Sequence, residues 1–444
     1  MARTPRPSPS ERPDLSPSLI EPGSVWRVAR AERVCFLVDS AAYFAAAMSA
    51  IRQARRSILL LGWSFDPRTR LQPGPEDVTG APDEIGNVLK TLASRRPDLD
   101  VRVLIWKSAL PISASQNFFP HRARSWFGGS PVRFRLDSSV PYGACHHQKV
   151  LVIDDLIAFC GGGDFMPDRW DTPAHLDQDP RRVMPGGALH PPRHEVMAMV
   201  DGEAARALGE LARLRWLRAV GHAPPPPPED ASHDPWPRWL PPDLEGVEVA
   251  IARTVPAWRG EPEVNEIERL HLVAIAGARR SIYLENQYFT SPVIGEALAA
   301  RLAEPDGPEV VLVSTEHSPS YFDQLTMDRT RSDLLRRLWA ADLHGRFRAR
   351  LLGHFAHAAE GEVEQMVAEL GLAGATDALA RASAGRLVRM EPLPMGPLAS
   401  LIAAYHLGDP MDPSDSWRPV RRRRRLRSEA ERVARLNLDP KVHD

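Results

Sequence analysis

The sequence predicts an α/β protein built from a duplicated unit, on three observations. Ala54-Arg55-Arg56-Ser57-Ile58 recurs 224 residues later as Ala278-Arg279-Arg280-Ser281-Ile282. Apolar residues at helical spacing precede each copy, Tyr43, Ala47, Met48 and Ile51 in one case and Leu270, Val273, Ala274 and Ile275 in the other, and an apolar run with an aromatic ending follows, SILLLGWSF or SIYLENQYF. Further near-continuous apolar runs alternate with helical patterns, which implies sheets covered on both faces. At 444 residues the chain also exceeds the ~250 at which single cores stop growing, so two lobes are expected.

Taken in order, residues 1–30 begin MARTPRPSPSERPDLSPS, a Pro- and Ser-rich stretch without the apolar centre of a secretory signal, and read as a disordered tail. The first unit spans 31–222, with strands expected at SILLLGWSF, VRVLIW from Val101, VRFRL from Val132, KVLVID from Lys149 and LIAFC from Leu156. Residues 223–244 hold Pro224 to Pro228 and DPWPRWLPPD, which continue neither helix nor sheet and so form the linker. The second unit covers 245–350, with a strand at VVLVS from Val310. Residues 351–444 read as a helical, basic C-terminal region: Leu351 to Ala384 is Ala-, Leu- and Glu-rich, and no strand is expected there. The Arg421 to Arg425 run within it reads as a solvated tail partly balanced by Glu429 and Glu431, as a contact for anionic lipid headgroups or, third, as a contact for RNA.

Composition narrows the function classes. Charged residues at 25% and apolar ones at 43% suit a folded chain. The 56 basic and 57 acidic side chains leave a net charge of -1, with no global field for nucleic acid. Cys35, Cys145 and Cys160 neither make a disulfide framework nor match C-x-x-C, so a reducing, cytoplasmic setting is expected. No apolar run approaches the ~18 residues of a membrane span; attachment would be peripheral.

The chemistry centres on His146-His147-Gln148-Lys149 and the strand that follows. On a strand, His147 and Lys149 share a face, so an imidazole and an ammonium stand together. A neutral His attacks phosphorus, and Lys offsets charge on the non-bridging oxygens. Asp154 closes the strand, where a carboxylate is expected to orient the imidazole. The Gly161-Gly162-Gly163 turn is expected to bring bare amides to the pocket, with Asp164 beside it. Lysine occurs at only four positions, Lys90, Lys107, Lys149 and Lys441, so its use here stands out.

The spacing H-x-K-x-x-x-x-D, followed by a glycine turn and Asp164, resembles the HKD motif of the phospholipase D superfamily. The likeness extends over roughly 31–350 through Asp168-Arg169-Trp170-Asp171-Thr172 with His175, His194-Glu195, the Leu211 to Trp216 helix and Glu285-Asn286-Gln287-Tyr288-Phe289. It implies two α/β/α sandwich units in pseudo-twofold arrangement around one site. It further implies a phosphohistidine intermediate, a phospholipid substrate, no metal or cofactor, and catalytic roles for His147, Lys149 and Asp154. Gly161, Gly162, Asp164, Trp63, Gln287 and Tyr288 would then line the pocket.

The family pattern also asks for a second H-x-K in the second unit. After Lys149 the only lysine is Lys441, preceded two places earlier by Asp439, so the chain has one motif. The expectation is a second unit truncated near Arg350 by one to two strands and a turn. Loss of a coupled acid weakens turnover severely. His317 would be a loop histidine near the site edge. The alternatives are a degenerate member that binds phosphate or anionic lipid and, third, a superfamily nuclease; the oligomeric state is open.

Overall fold

A computed structural model describes residues 20–74, 83–107, 119–141, 144–176, 178–228, 232–315, 318, 327–352, 362–382 and 387–390. Eight strands form the main sheet: β1 (Arg27–Val38), β2 (Ser57–Gly62), β3 (Asp100–Trp106), β4 (Arg133–Asp137), β5 (Val150–Ile153), β6 (Ile157–Gly161), β7 (Val196–Asp201) and β8 (Leu244–Ile251). Their order is β4-β3-β2-β5-β6-β7-β1-β8. β2, β3 and β4 run parallel, and every other pairing is antiparallel.

The central strands β2 and β5 are apolar and buried along their length because both faces are covered. Ile58, Leu60, Leu151 and Ile153 enter one core with α1 (Asp39–Gln53) and α2 (Ile85–Arg95), which supply Tyr43, Phe44, Met48 and Leu89. Ala123 of α3 (Phe119–Trp126) joins the same core. Leu59, Leu61, Val150 and Val152 enter the opposite core, against Ala204, Leu208, Leu211 and Trp216 of α4 (Gly202–Val220). Each fully buried Leu or Ile contributes roughly 1.5–3 kcal/mol of hydrophobic stabilisation.

After the small β9 (Thr254–Val255) and β10 (Val264–Asn265) ladder, a second sheet has the order β11-β12-β13-β14. It comprises β11 (Ser281–Glu285), β12 (Glu309–Ser314), β13 (Phe347–Leu352) and β14 (Leu387–Arg389). Around it lie α5 (Glu266–Gly277), α6 (Pro292–Ala303), α7 (Arg329–Ala341) and α8 (Glu362–Ala382), the last broken at Gly371 with φ +72°. The parallel run β11-β12-β13 repeats that of β2-β3-β4. The units differ at the first strand of that run. β2 also pairs with β5, whereas β11 ends its sheet among the described residues.

Three expectations change. β1 starts inside the stretch assigned to the tail, because Arg27 to Val34 pairs with β8. β8 follows the proline tract yet completes the first sheet. In the C-terminal region α8 is helical, but β13 extends to Leu352 and β14 pairs antiparallel along it, since β13 has an outer flank to cover. His317 and the Arg421 to Arg425 run lie outside the described residues.

Candidate active site at the head of the first sheet

β5 and β6 bring the motif together. Lys149 is buried, with Nζ 3.3 Å from Asp164 Oδ2, and donates to the His147 carbonyl at 3.0 Å. Asp164, just past β6, also accepts from the Trp63 and Ser64 amides at 3.0 and 3.3 Å, tying the end of β2 to the motif. Trp63 stacks on Trp106 with centroids 6.1 Å apart and meets the His147 ring edge-on at 5.8 Å. Lys149 Nζ lies 6.0 Å from the Trp63 ring centre. His147, Lys149, Asp164 and Trp63 therefore form one cluster.

His147 is exposed at its mouth. Crowding that strips water from the ring, then the Lys149 ammonium and the Arg169 guanidinium, lower the imidazole pKa to about 3. The ring is neutral at pH 7, the form that attacks phosphorus. Arg169 was not assigned a role from sequence. It is fixed by Asp168 at 2.7 Å, with Glu195 Oε1 3.7 Å from its Nε, and Tyr288 is close enough to interact with it electrostatically. Its only signal was its place in the Asp168 to Thr172 stretch.

A buried carboxylate braces the motif from behind. Asp137 Oδ2 lies 3.0 Å from His146 Nε2 and 2.7 Å from Arg215 Nη2, and Arg215 also donates to Gln148 Oε1. Burial would raise the Asp137 pKa, but His146 and Arg215 hold it well below the usual carboxylate range. His146 and Gln148, on either side of His147, are thereby fixed, and His146 to Lys149 precede β5 rather than lying on the strand as expected.

Asp154 does not orient His147. Its carboxylate accepts the Arg55, Arg56 and Ser57 amides, each at 2.7 Å, and lies 3.4 Å from His233 Nε2, at the opposite end of β5. The glycine turn does not offer free amides either. Gly161 N donates to Lys149 O, Gly162 N to Val196 O and Gly163 N to Met197 Sδ. Gly161 is needed for strand approach instead, since a Cβ there would lie 2.5 Å from Val196 O. The Gln287 carbonyl is held by Ser314, Thr315 and Arg331, and Tyr288 is half-buried near Arg169.

No family model matches the chain. It is 25% identical over 289 residues to phospholipase D alpha 4 of Arabidopsis thaliana, covering 54% of this chain and 37% of that protein. It is 27% identical over 287 residues to phospholipase D A of Dictyostelium discoideum, covering 57% of this chain and 21% of that protein. The chain thus spans well under half the length of these curated relatives. In fold it is similar to phosphatidylserine synthase of Haemophilus influenzae Rd KW20, with 12% identity, a TM-score of 0.42 and coverage of 74% of this chain and 73% of that one. The sequence relatives and the site together define a mixed α/β protein of phospholipase D type. The chain belongs to the phospholipase D superfamily. No helix among the described residues is long and apolar enough to cross a membrane.

Proposed function

We propose that the protein is a phosphodiesterase or phosphatidyltransferase acting on glycerophospholipids. The observation that carries this reading is a neutral, exposed His147 flanked by Lys149 and Arg169. In the proposed reaction a His147 ring nitrogen attacks phosphorus, the P–N bond forms, and the P–O bond to the headgroup alcohol breaks. The departing oxygen takes a proton. Water or a second alcohol then displaces the imidazole and returns the phosphatidyl group as acid or new ester. Lys149 and Arg169 offset charge on the non-bridging oxygens. Asp164 holds Lys149, while Trp63 and Tyr288 form the rim.

The chain has no second H-x-K to protonate the leaving alcohol. Acid assistance contributes about 100- to 10,000-fold, so turnover is expected to be slow. Full-length protein incubated with phosphatidylcholine vesicles and ethanol should release choline or form phosphatidylethanol, and His147→Ala should not. Equal traces from both proteins would remove the enzyme reading. The single motif also supports a second reading, a member that binds anionic lipid or phosphate without turnover. It predicts vesicle co-sedimentation that weakens in Lys149→Met while no product appears.

A further inference from the structure

We propose that Asp39, His175 and His194 form a site for one divalent cation of the zinc class, at the seam between the two units. Their donor atoms all lie within 4.8 Å of one another. Zinc bonds of about 2.0–2.2 Å place tetrahedral donors about 3.3 Å apart, so the widest donor pair would close by up to about 1.5 Å while His194 Nδ1 and Asp39 Oδ1, 2.8 Å apart, would open slightly.

The hydrogen-bond pattern points to a metal. Each imidazole turns one nitrogen to Asp39 and the other to a different carboxylate. His175 presents Nε2 to Asp39 Oδ2 at 3.3 Å and Nδ1 to Asp171 Oδ2 at 2.9 Å. His194 presents Nδ1 to Asp39 Oδ1 at 2.8 Å and Nε2 to Glu285 Oε2 at 3.4 Å. A neutral imidazole carries one N–H, so it can donate to its outer carboxylate and turn a lone pair inward. That is how metal-bound histidines are usually oriented. Asp39 Oδ2 is buried and receives no aligned hydrogen bond, which suits a ligand oxygen. Three carboxylates surround two imidazoles here, and one dication with neutral rings balances them as well as two protons would.

The backbone already holds the donors in place. Asp39 N donates to Glu195 O at 2.7 Å, and Ala41 N to Asp171 O at 2.9 Å. Asp39 and His175 have φ of +64° and +40°, unusual for residues other than glycine. Glu285 comes from β11, so the ion would tie the second unit to the first. Glu195, next to His194, reaches Arg169 at 3.7 Å, and so links this cluster to the cation beside His147. These are positioning residues rather than catalytic ones.

The test uses full-length protein stripped with a chelator, dialysed and titrated with zinc by calorimetry, with cobalt(II) as the spectroscopic probe. Roughly one equivalent should bind per chain, and cobalt should give visible bands of nitrogen-oxygen coordination. His175→Ala should abolish both signals. Asp171→Asn and Glu285→Gln, which leave the three ligands intact, should weaken binding about 10- to 100-fold. Glu285 is half-exposed, so its replacement keeps the test readable where substitution of buried His175 prevents folding. Failure to bind zinc or cobalt, or unchanged binding in both His175→Ala and Glu285→Gln, would overturn the site and leave two imidazoliums as the account of the cluster.

Discussion

His147 is uncharged over most of the pH range because its surroundings oppose protonation, and this has a definite sign. An unfolded His binds a proton near pH 6.5, while the folded ring does so near 3. The contribution of His147 to stability is therefore present above about pH 6.5 and lost as pH falls toward 3. Chemical denaturation at pH 7 and pH 4 should show a smaller acid loss for His147→Ala than for the natural protein. NMR titration should place the ring pKa higher in Lys149→Met, though still below its ordinary value because water exclusion persists. The His147, Lys149, Asp164 and Trp63 group was legible because one strand and its two neighbours converge on a recognisable spacing. Arg169 was not, because nothing local shows that a loop 20 residues downstream of Lys149 returns to the ring. Asp154 was misread for the opposite reason. It is near the motif in sequence but lies in the turn past the far end of β5.

At the level of elements, the two copies of Ala-Arg-Arg-Ser are held differently. In the first unit Asp154, in a left-handed turn with φ +54°, holds three successive amides of that sequence against the β5 end. Among the described residues no side chain caps the equivalent amides of Arg279, Arg280 and Ser281. Asp154→Ala should cost about 3 kcal/mol or more, since hydrogen bonds to a charged group are worth roughly 1.5–3 each and the freed amides are partly buried. Guanidinium unfolding measures it. Two neighbouring glycines supply a contrast. Gly161→Ala should destabilise by about 1–3 kcal/mol, because its Cβ meets Val196 O and the Met197 Cα. Gly162→Ala should change little, with its nearest contact at 3.8 Å. Strands and long helices were readable from apolar period, whereas the proline tract interrupts the chain without marking a boundary between sheets, since β8 beyond it joins the first. β14 and the start of β1 were not, because a three-residue strand and a half-polar one carry little period and depend on a partner strand.

Across the whole molecule, the contrast between β2 and β11 is the clearest sign of unequal units. β2 is buried along its length between β3 and β5, whereas β11 alternates exposed and half-buried, with Tyr283 53% exposed. Hydrogen exchange followed by mass spectrometry should find peptide 281–285 labelled well before 57–62, as edge amides lack one partner strand. Equal protection would mean that this flank is covered. The return of β8 to the first sheet was not legible in the sequence, because it crosses the proline tract. That return sets where the gene can be cut. A minimal fragment that stops within Pro224 to Pro228 would strip β1 of a neighbour along Arg27 to Val34 and invite clumping, so dissection must reach past Ile251.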